Sequence, residues 1–116
     1  MTVPEEGCLL RVFVGESTPV NGKPAFEAIV RKARELGLAG ATVLRGVMGF
    51  GATSRIHAAH LLSLSDDLPV VVEIVDGRER IERILPYIDE VLTDGLVTLE
   101  RAEVRMYRAA EPEKPA

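Results

Sequence analysis

Residues Gly40–His60 read GATVLRGVMGFGATSRIHAAH. The stretch starts as an apolar strand, passes through Gly46, Gly49 and Gly51, and ends among hydroxyl and basic side chains. Strand, glycine hinge and donors in that order mark a place where backbone turns toward a ligand, since glycine admits conformations closed to other residues. What lies on either side decides the fold. A strand and a helix precede this segment, and a long connection leads from it to a second strand–helix–strand unit.

Composition narrows the class of protein. The chain has 116 residues, 47% apolar and 28% charged, enough for one core and not for two. A net charge of −4 argues against nucleic acid as partner. Cys8 is the single cysteine, so no disulfide can close within the chain, which points to a reducing compartment. At a strand start it reads as a small buried hydrophobe. The N-terminus lacks a signal-peptide pattern, and no apolar run approaches the roughly 20 residues a membrane span needs. The expectation is a cytoplasmic protein.

Outward from the opening stretch, Cys8 to Val14 alternates Leu10, Val12 and Val14 with Leu9, Arg11 and Phe13, largely apolar on both faces, as in a central strand. Asn21-Gly22 signals a turn. Pro24 suits the first position of a helix. That helix carries Phe26, Ile29, Val30, Ala33 and Leu36 on one stripe and ends at Gly37. Ala41 to Phe50 reads as one strand. From Gly51 to Asp67 the pattern suits either an extended arm or a short helix, and a connection of that length is more often functional or mobile than inert. Leu68 to Val75 is a strand. Asp76 and Glu79 have the spacing of a capping-box variant ahead of a helix that buries Ile81, Ile84, Leu85, Ile88 and Val91. Pro86 should kink or break that helix. Thr93-Asp94-Gly95 is a turn, and Leu96 to Tyr107 the last strand.

The elements therefore run β-α-β, long connection, β-α-β. That order predicts an α+β, ferredoxin-like βαββαβ sandwich: a four-stranded antiparallel sheet with both helices on one face. The expected layout is a flexible N-terminus at 1–7, one domain at 8–108 and a disordered tail at 109–116. Two helices cover one sheet face only, so Leu9, Phe13, Val71 and Val75 are left on the other. Apolar surface of that kind marks an interface, and we expect association through it. Arg11 and Glu73 would pair on that face if their strands are neighbours.

Candidate sites follow from the same reading. Thr53-Ser54-Arg55, beside flexible glycines, offers two hydroxyls and a guanidinium to an anion. His57 and His60 would share one face of a helix, within reach of a metal if a third ligand such as Glu16 or Asp66 joined them. Arg101 and Arg105, interleaved with Glu100 and Glu103, read as solvated edge charges. No nucleophile and base stand at a recognisable spacing, so catalysis is not expected.

The motifs Gly40-Ala-Thr-Val, Gly49-Phe50-Gly51 and Leu68-Pro69 resemble those of the PII signalling proteins. With Gly15-Glu16, Gly22-Lys23-Pro24, Leu44-Arg45-Gly46 and Gly95-Leu96-Val97-Thr98-Leu99-Glu100 added, the chain is identified as a member of the PII-like family DUF190. The resemblance covers nearly all of the chain between Cys8 and Tyr107. It implies a ferredoxin-like homotrimer that binds a small effector, an adenine nucleotide, in clefts between subunits, and that grips a partner protein through a flexible T-loop. By the same resemblance, Gly49, Phe50, Gly51, Ala52 and Thr53 start the T-loop and line the cleft. Thr93, Asp94 and Gly95 fall at the phosphate-contacting loop, and Arg108 matches one of two arginines that approach the phosphates. Ser54 and Arg55 extend the ligand set. Family members stand beside genes for fluoride-export channels, which points to a membrane channel or transporter as partner.

This chain departs from the PII pattern in ways that bear on the ligand. Thr53 stands where PII proteins carry a glutamine that helps hold magnesium and 2-oxoglutarate. Leu96 follows Gly95 where a phosphate-binding lysine is expected, and Met106 replaces the second arginine. Losing two cations weakens a triphosphate cradle, because charge-assisted bonds to phosphate are the strong ones, so a different small ligand or a monophosphate nucleotide suits the site as well as ATP does. The reading from sequence is thus a non-enzymatic PII-like signalling protein. The alternative is a trimer binding copper or a divalent metal, akin to the copper-tolerance proteins of this fold, with His57 and His60 as ligands.

Overall fold

A computed structural model describes residues 2–51, 57–58 (backbone only) and 67–110. Four strands make one antiparallel sheet: β1 (Glu6–Gly15), β2 (Thr42–Arg45), β3 (Pro69–Gly77) and β4 (Leu96–Glu103), in the order β2-β3-β1-β4. Helices α1 (Ala25–Glu35) and α2 (Arg78–Val91) connect them. This is the expected ferredoxin-like α+β arrangement.

β1 pairs along both edges. Its register with β3 runs from Gly7↔Gly77 to Gly15↔Pro69, and with β4 from Glu6↔Glu103 to Phe13↔Leu96. Because side chains alternate, this register sends Leu10, Val12, Val14, Val70, Val72 and Ile74 to one face, where all are buried. Ile29 and Ala33 of α1 and Ile81, Ile84 and Ile88 of α2 close the core from above. Cys8 is buried with them. Gly37, at φ +76°, ends the first helix, and the Leu38 N–H reaches back to the Ala33 carbonyl at 3.0 Å.

On the other face, Arg11 lies between two carboxylates, bonding Glu73 and Glu100 at 2.8 Å each. The Arg11–Glu73 pair is the one anticipated from alternation. The hydrogen bond to Glu73, opposed by desolvation, raises the guanidinium pKa above its ordinary value. Around this clamp stand Leu9, Phe13, Val71 and Val75, joined in register by Leu44 and Leu96. Leu44 and Leu96 are half exposed or more.

Several local expectations are corrected. The capping box at Asp76 does not form: Gly77 is the N-cap of α2 and receives no side-chain cap. Asp76 is instead fully buried, accepting the N–H groups of Ala39 (2.9 Å) and Gly77 (2.7 Å), with Arg80 3.4 Å away. It therefore joins the loop before β2 to the start of α2. Pro86 does not break α2, which continues to Val91, packed through Ile84 and Ile88 on either side. Helix α1 starts at Ala25, because Pro24 pairs with Pro19 in a short hairpin of Pro19–Val20 and Lys23–Pro24. Its tip is the expected turn, with Asn21 at φ 51° and Gly22 at φ 80°. The second strand is interrupted after Arg45 and resumes only as Met48–Gly49. The last strand ends at Glu103, and 104–110 leave the sheet. Among the described residues no helix is long and apolar enough to cross a membrane.

The junction at Asp76 yields a prediction. Asp76→Ala leaves the buried Gly77 N–H and the part-buried Ala39 N–H without their acceptor, and an unsatisfied buried donor costs about 1–3 kcal/mol. Urea unfolding should show a loss of about 3 kcal/mol, and Asp76→Asn, which keeps one acceptor oxygen, a smaller one. A loss under about 0.5 kcal/mol in Asp76→Ala would contradict this role.

Candidate functional site

At the end of the sheet where β1 finishes and β3 begins, the chain leaves a cavity of about 720 Å³. Its apolar wall comes from Phe13, Val71, Leu96, Pro69, Met48 and Phe50, and its polar edge from Thr18, Asp67 and Asp94. Phe13, Val71 and Leu96 belong to the open sheet face, so the cavity is continuous with that face. Phe50 is 71% exposed and Met48 57%, far more than large apolar side chains normally are.

Three close approaches build the walls. The Gly46 N–H donates to the Pro69 carbonyl at 2.7 Å, and a Cβ on Gly46 would lie 2.8 Å from the Pro69 ring. This contact turns the backbone off β2 and aims Met48-Gly49-Phe50 at the cavity. Met48 and Gly49 then pair in antiparallel register with Ala58 and His57. On the far wall, Gly95 has φ +147°, and a Cβ there would sit 2.7 Å from the Phe13 carbonyl. Only glycine fits so tight a turn.

The third approach is at Asp67. Its Oδ1 accepts the Ser17 N–H at 2.6 Å, and a Cβ on Gly15 would collide with its carboxylate. The Glu16 N–H donates to the Leu68 carbonyl at 2.8 Å, and Glu16 itself pairs with Arg45. The loop after β1 is thereby stitched to the start of β3 and the end of β2. Arg45 is occupied by this pair and does not line the cavity.

Of the residues singled out from sequence, Gly49, Phe50, Gly51, Asp94 and Gly95 meet at this cavity. Thr93 adjoins it without lining it. Arg108 is elsewhere in the chain, in a second, more open cavity with Glu5 and Glu103, its Nε donating to the Met106 sulfur at 2.9 Å. Ala52, Thr53, Ser54, Arg55 and His60 lie outside the described residues, as do 111–116 of the expected tail. His57 is in extended backbone, so the helix that would set it beside His60 does not start there. Among the described residues no three His, Cys, Asp or Glu side chains are placed to hold a metal.

Sequence reasoning missed Asp67, Thr18 and Phe13. Asp67 precedes Leu68-Pro69 with no local signal of its role, and its partner is fifty positions away. Phe13 could have been found, since alternation already puts it on the uncovered face.

The family model of DUF190, described as Uncharacterized ACR, matches residues 7–104. A UPF0166 protein of Aquifex aeolicus (strain VF5) is 45% identical over 83% of this chain and 90% of its own length. A UPF0166 protein of Methanocaldococcus jannaschii is 31% identical over 83% and 89%. Among solved structures, CPII of Thiomonas intermedia, a nitrogen regulatory PII-like protein bound to ADP, AMP and bicarbonate, matches with a TM-score of 0.61 at 16% identity. The match covers 85% of this chain and 88% of CPII. A chain from Thermus thermophilus described as PII-like matches with a TM-score of 0.58 at 20% identity, covering 84% and 89%.

The wall at Gly95 is open to a direct test. Gly95→Ala forces a Cβ against the Phe13 carbonyl at a strained φ, at a cost of about 1–3 kcal/mol. Thermal unfolding should show a lowered Tm, and an unchanged Tm would remove the steric reason for glycine at this position.

Proposed function

Because the chain belongs to the DUF190 family and shares the fold of PII-like proteins, we propose that it is a PII-like regulatory protein. In this reading it is a homotrimer that binds an adenine nucleotide at the cavity between Phe50 and Asp94. It reports occupancy through the segment 51–67. One observation carries the proposal: Gly51 and Asp67, the two roots of that segment, line the same cavity. A ligand seated there touches both ends of the connection, so binding changes the ensemble the connection samples and with it the surface shown to a partner protein.

The ligand class is supported by CPII, whose structure holds ADP and AMP. The trimer is supported by the uncovered sheet face, where apolar side chains surround the Arg11 clamp. The cavity opens onto that face, so a neighbouring copy packed there would supply its missing side, and in this reading Arg108 comes to the ligand from such a neighbour. Ala52, Thr53, Ser54 and Arg55 continue the ligand set from Gly51. A membrane channel or transporter is the partner this reading anticipates. No catalytic step is part of it.

Isothermal titration with ATP, ADP and AMP, with and without magnesium, should give one ligand per chain. Absence of heat with all three would count against the nucleotide. Sedimentation at micromolar concentration should give about three times the 12.6 kDa chain mass, whereas a stable monomer would sink the trimer.

A further inference from the structure

Beyond β4, residues 104–110 leave the sheet, and hydrogen bonds at either end of 104–107 fasten them. The Val104 N–H donates to the Glu5 carbonyl at 2.7 Å, and the Tyr107 hydroxyl donates to the Ala39 carbonyl at 2.6 Å. Ala39 lies in the loop before β2, which is the sheet edge opposite β4. The segment therefore crosses the end of the sheet and is tied down on the far side. That anchor is a firm one, because the Ala39 N–H donates to the fully buried Asp76 at 2.9 Å. Tyr107 is thus joined to a point that the core itself holds. Arg108 comes next in the chain, its Nε donating to the sulfur of Met106 on the other side of Tyr107. The eight residues of β4, at about 3.3 Å each, put about 25 Å between Leu96 at the cavity and Glu103, where the segment starts. Within one chain, Arg108 stands at the wrong end of the sheet to reach the cavity.

We propose that Tyr107 is the positioning residue for Arg108: by holding the segment to Ala39, its hydroxyl presents the guanidinium to the phosphates of a ligand in a neighbouring copy's cavity. The inference rests on the nucleotide-binding trimer proposed above and adds to it a residue that acts through Arg108 rather than on the ligand. Its physical ground is preorganisation. A guanidinium grips phosphate by paired, charge-assisted bonds that need a set direction. Ordering a long arginine side chain costs entropy, and fixing the backbone beneath it adds to that cost. The Tyr107–Ala39 bond settles the backbone part during folding, before any ligand arrives. Two consequences follow from this division of labour. Removing the hydroxyl loosens 104–108 without removing a phosphate contact. The resulting loss of affinity vanishes when residue 108 has no charge with which to grip.

The experiment titrates ADP into the intact protein and into Tyr107→Phe, Arg108→Gln and the double variant. Arg108→Gln should weaken ADP by about tenfold, the effect of losing a charge-assisted bond. Tyr107→Phe keeps the ring and loses the hydroxyl, and should weaken ADP by about threefold or more. In the Arg108→Gln background the same substitution should change affinity by less than about 1.5-fold, because its effect runs through the missing guanidinium. A second readout, without ligand, reports on the segment itself. Trypsin should cut after Arg105 about threefold faster or more in Tyr107→Phe, while cutting after Arg80, within α2, keeps its rate. Unchanged ADP affinity in Tyr107→Phe, a loss that persists undiminished beside Arg108→Gln, unchanged affinity in Arg108→Gln, or cleavage after Arg80 rising in step with Arg105 would each overturn the inference while leaving the nucleotide reading in place. No ADP binding by the unaltered protein would remove both.

Discussion

Strand β1 is paired from Gly7 to its end with β3 and from Glu6 to Phe13 with β4, and everything else hangs on that register. Slipping it by one residue would turn Arg11 into the core and Leu10 and Val12 to the open face. Burying an unpaired guanidinium is far costlier than any alternative contact could offset. The Arg11 clamp reinforces the same choice from the other side, since Glu73 and Glu100 meet it only when β1 is aligned as observed.

The register also places the candidate site. Pairing Gly15 with Pro69 brings Asp67 against the loop that follows β1, where it takes the Ser17 N–H. Pairing Phe13 with Leu96 brings the Asp94-Gly95 turn beneath the Phe13 carbonyl. The Gly46–Pro69 contact adds the third wall by lifting the chain off β2. The cavity is thus a by-product of how one central strand ends, and its apolar wall is simply the last part of the uncovered sheet face. Binding and assembly would therefore draw on the same surface, which is the physical basis for expecting a neighbouring copy to complete the site.

Much of the fold was legible because burial imposes periodicity. Leu10-Val12-Val14, Val70-Val72-Ile74 and the two helical stripes declare their faces without a partner, and Asn21-Gly22 and Gly37 announce turns that only a few residues can make. The readings that failed were those in which a distant group outbid a local preference. Asp76 and Glu79 had the spacing of a cap, yet the Asp76 side chain is held by Ala39, far back in the chain. Pro86 carries a local penalty that packing of α2 on the core absorbs. The strand after Gly40 was interrupted by Pro69, which no pattern within 41–50 could reveal.

The sequence by itself determined the order of elements, the buried face of each, the apolar surplus on the open sheet face and the Gly49-Phe50-Gly51 threshold. All of these depend on spacing along the chain. Only the tertiary structure decided that Gly51 and Asp67 flank one cavity with Asp94 and that Arg108 lies away from it. Those facts depend on which strand ends meet, and strand pairing joins residues whose separation in sequence carries no periodic signal.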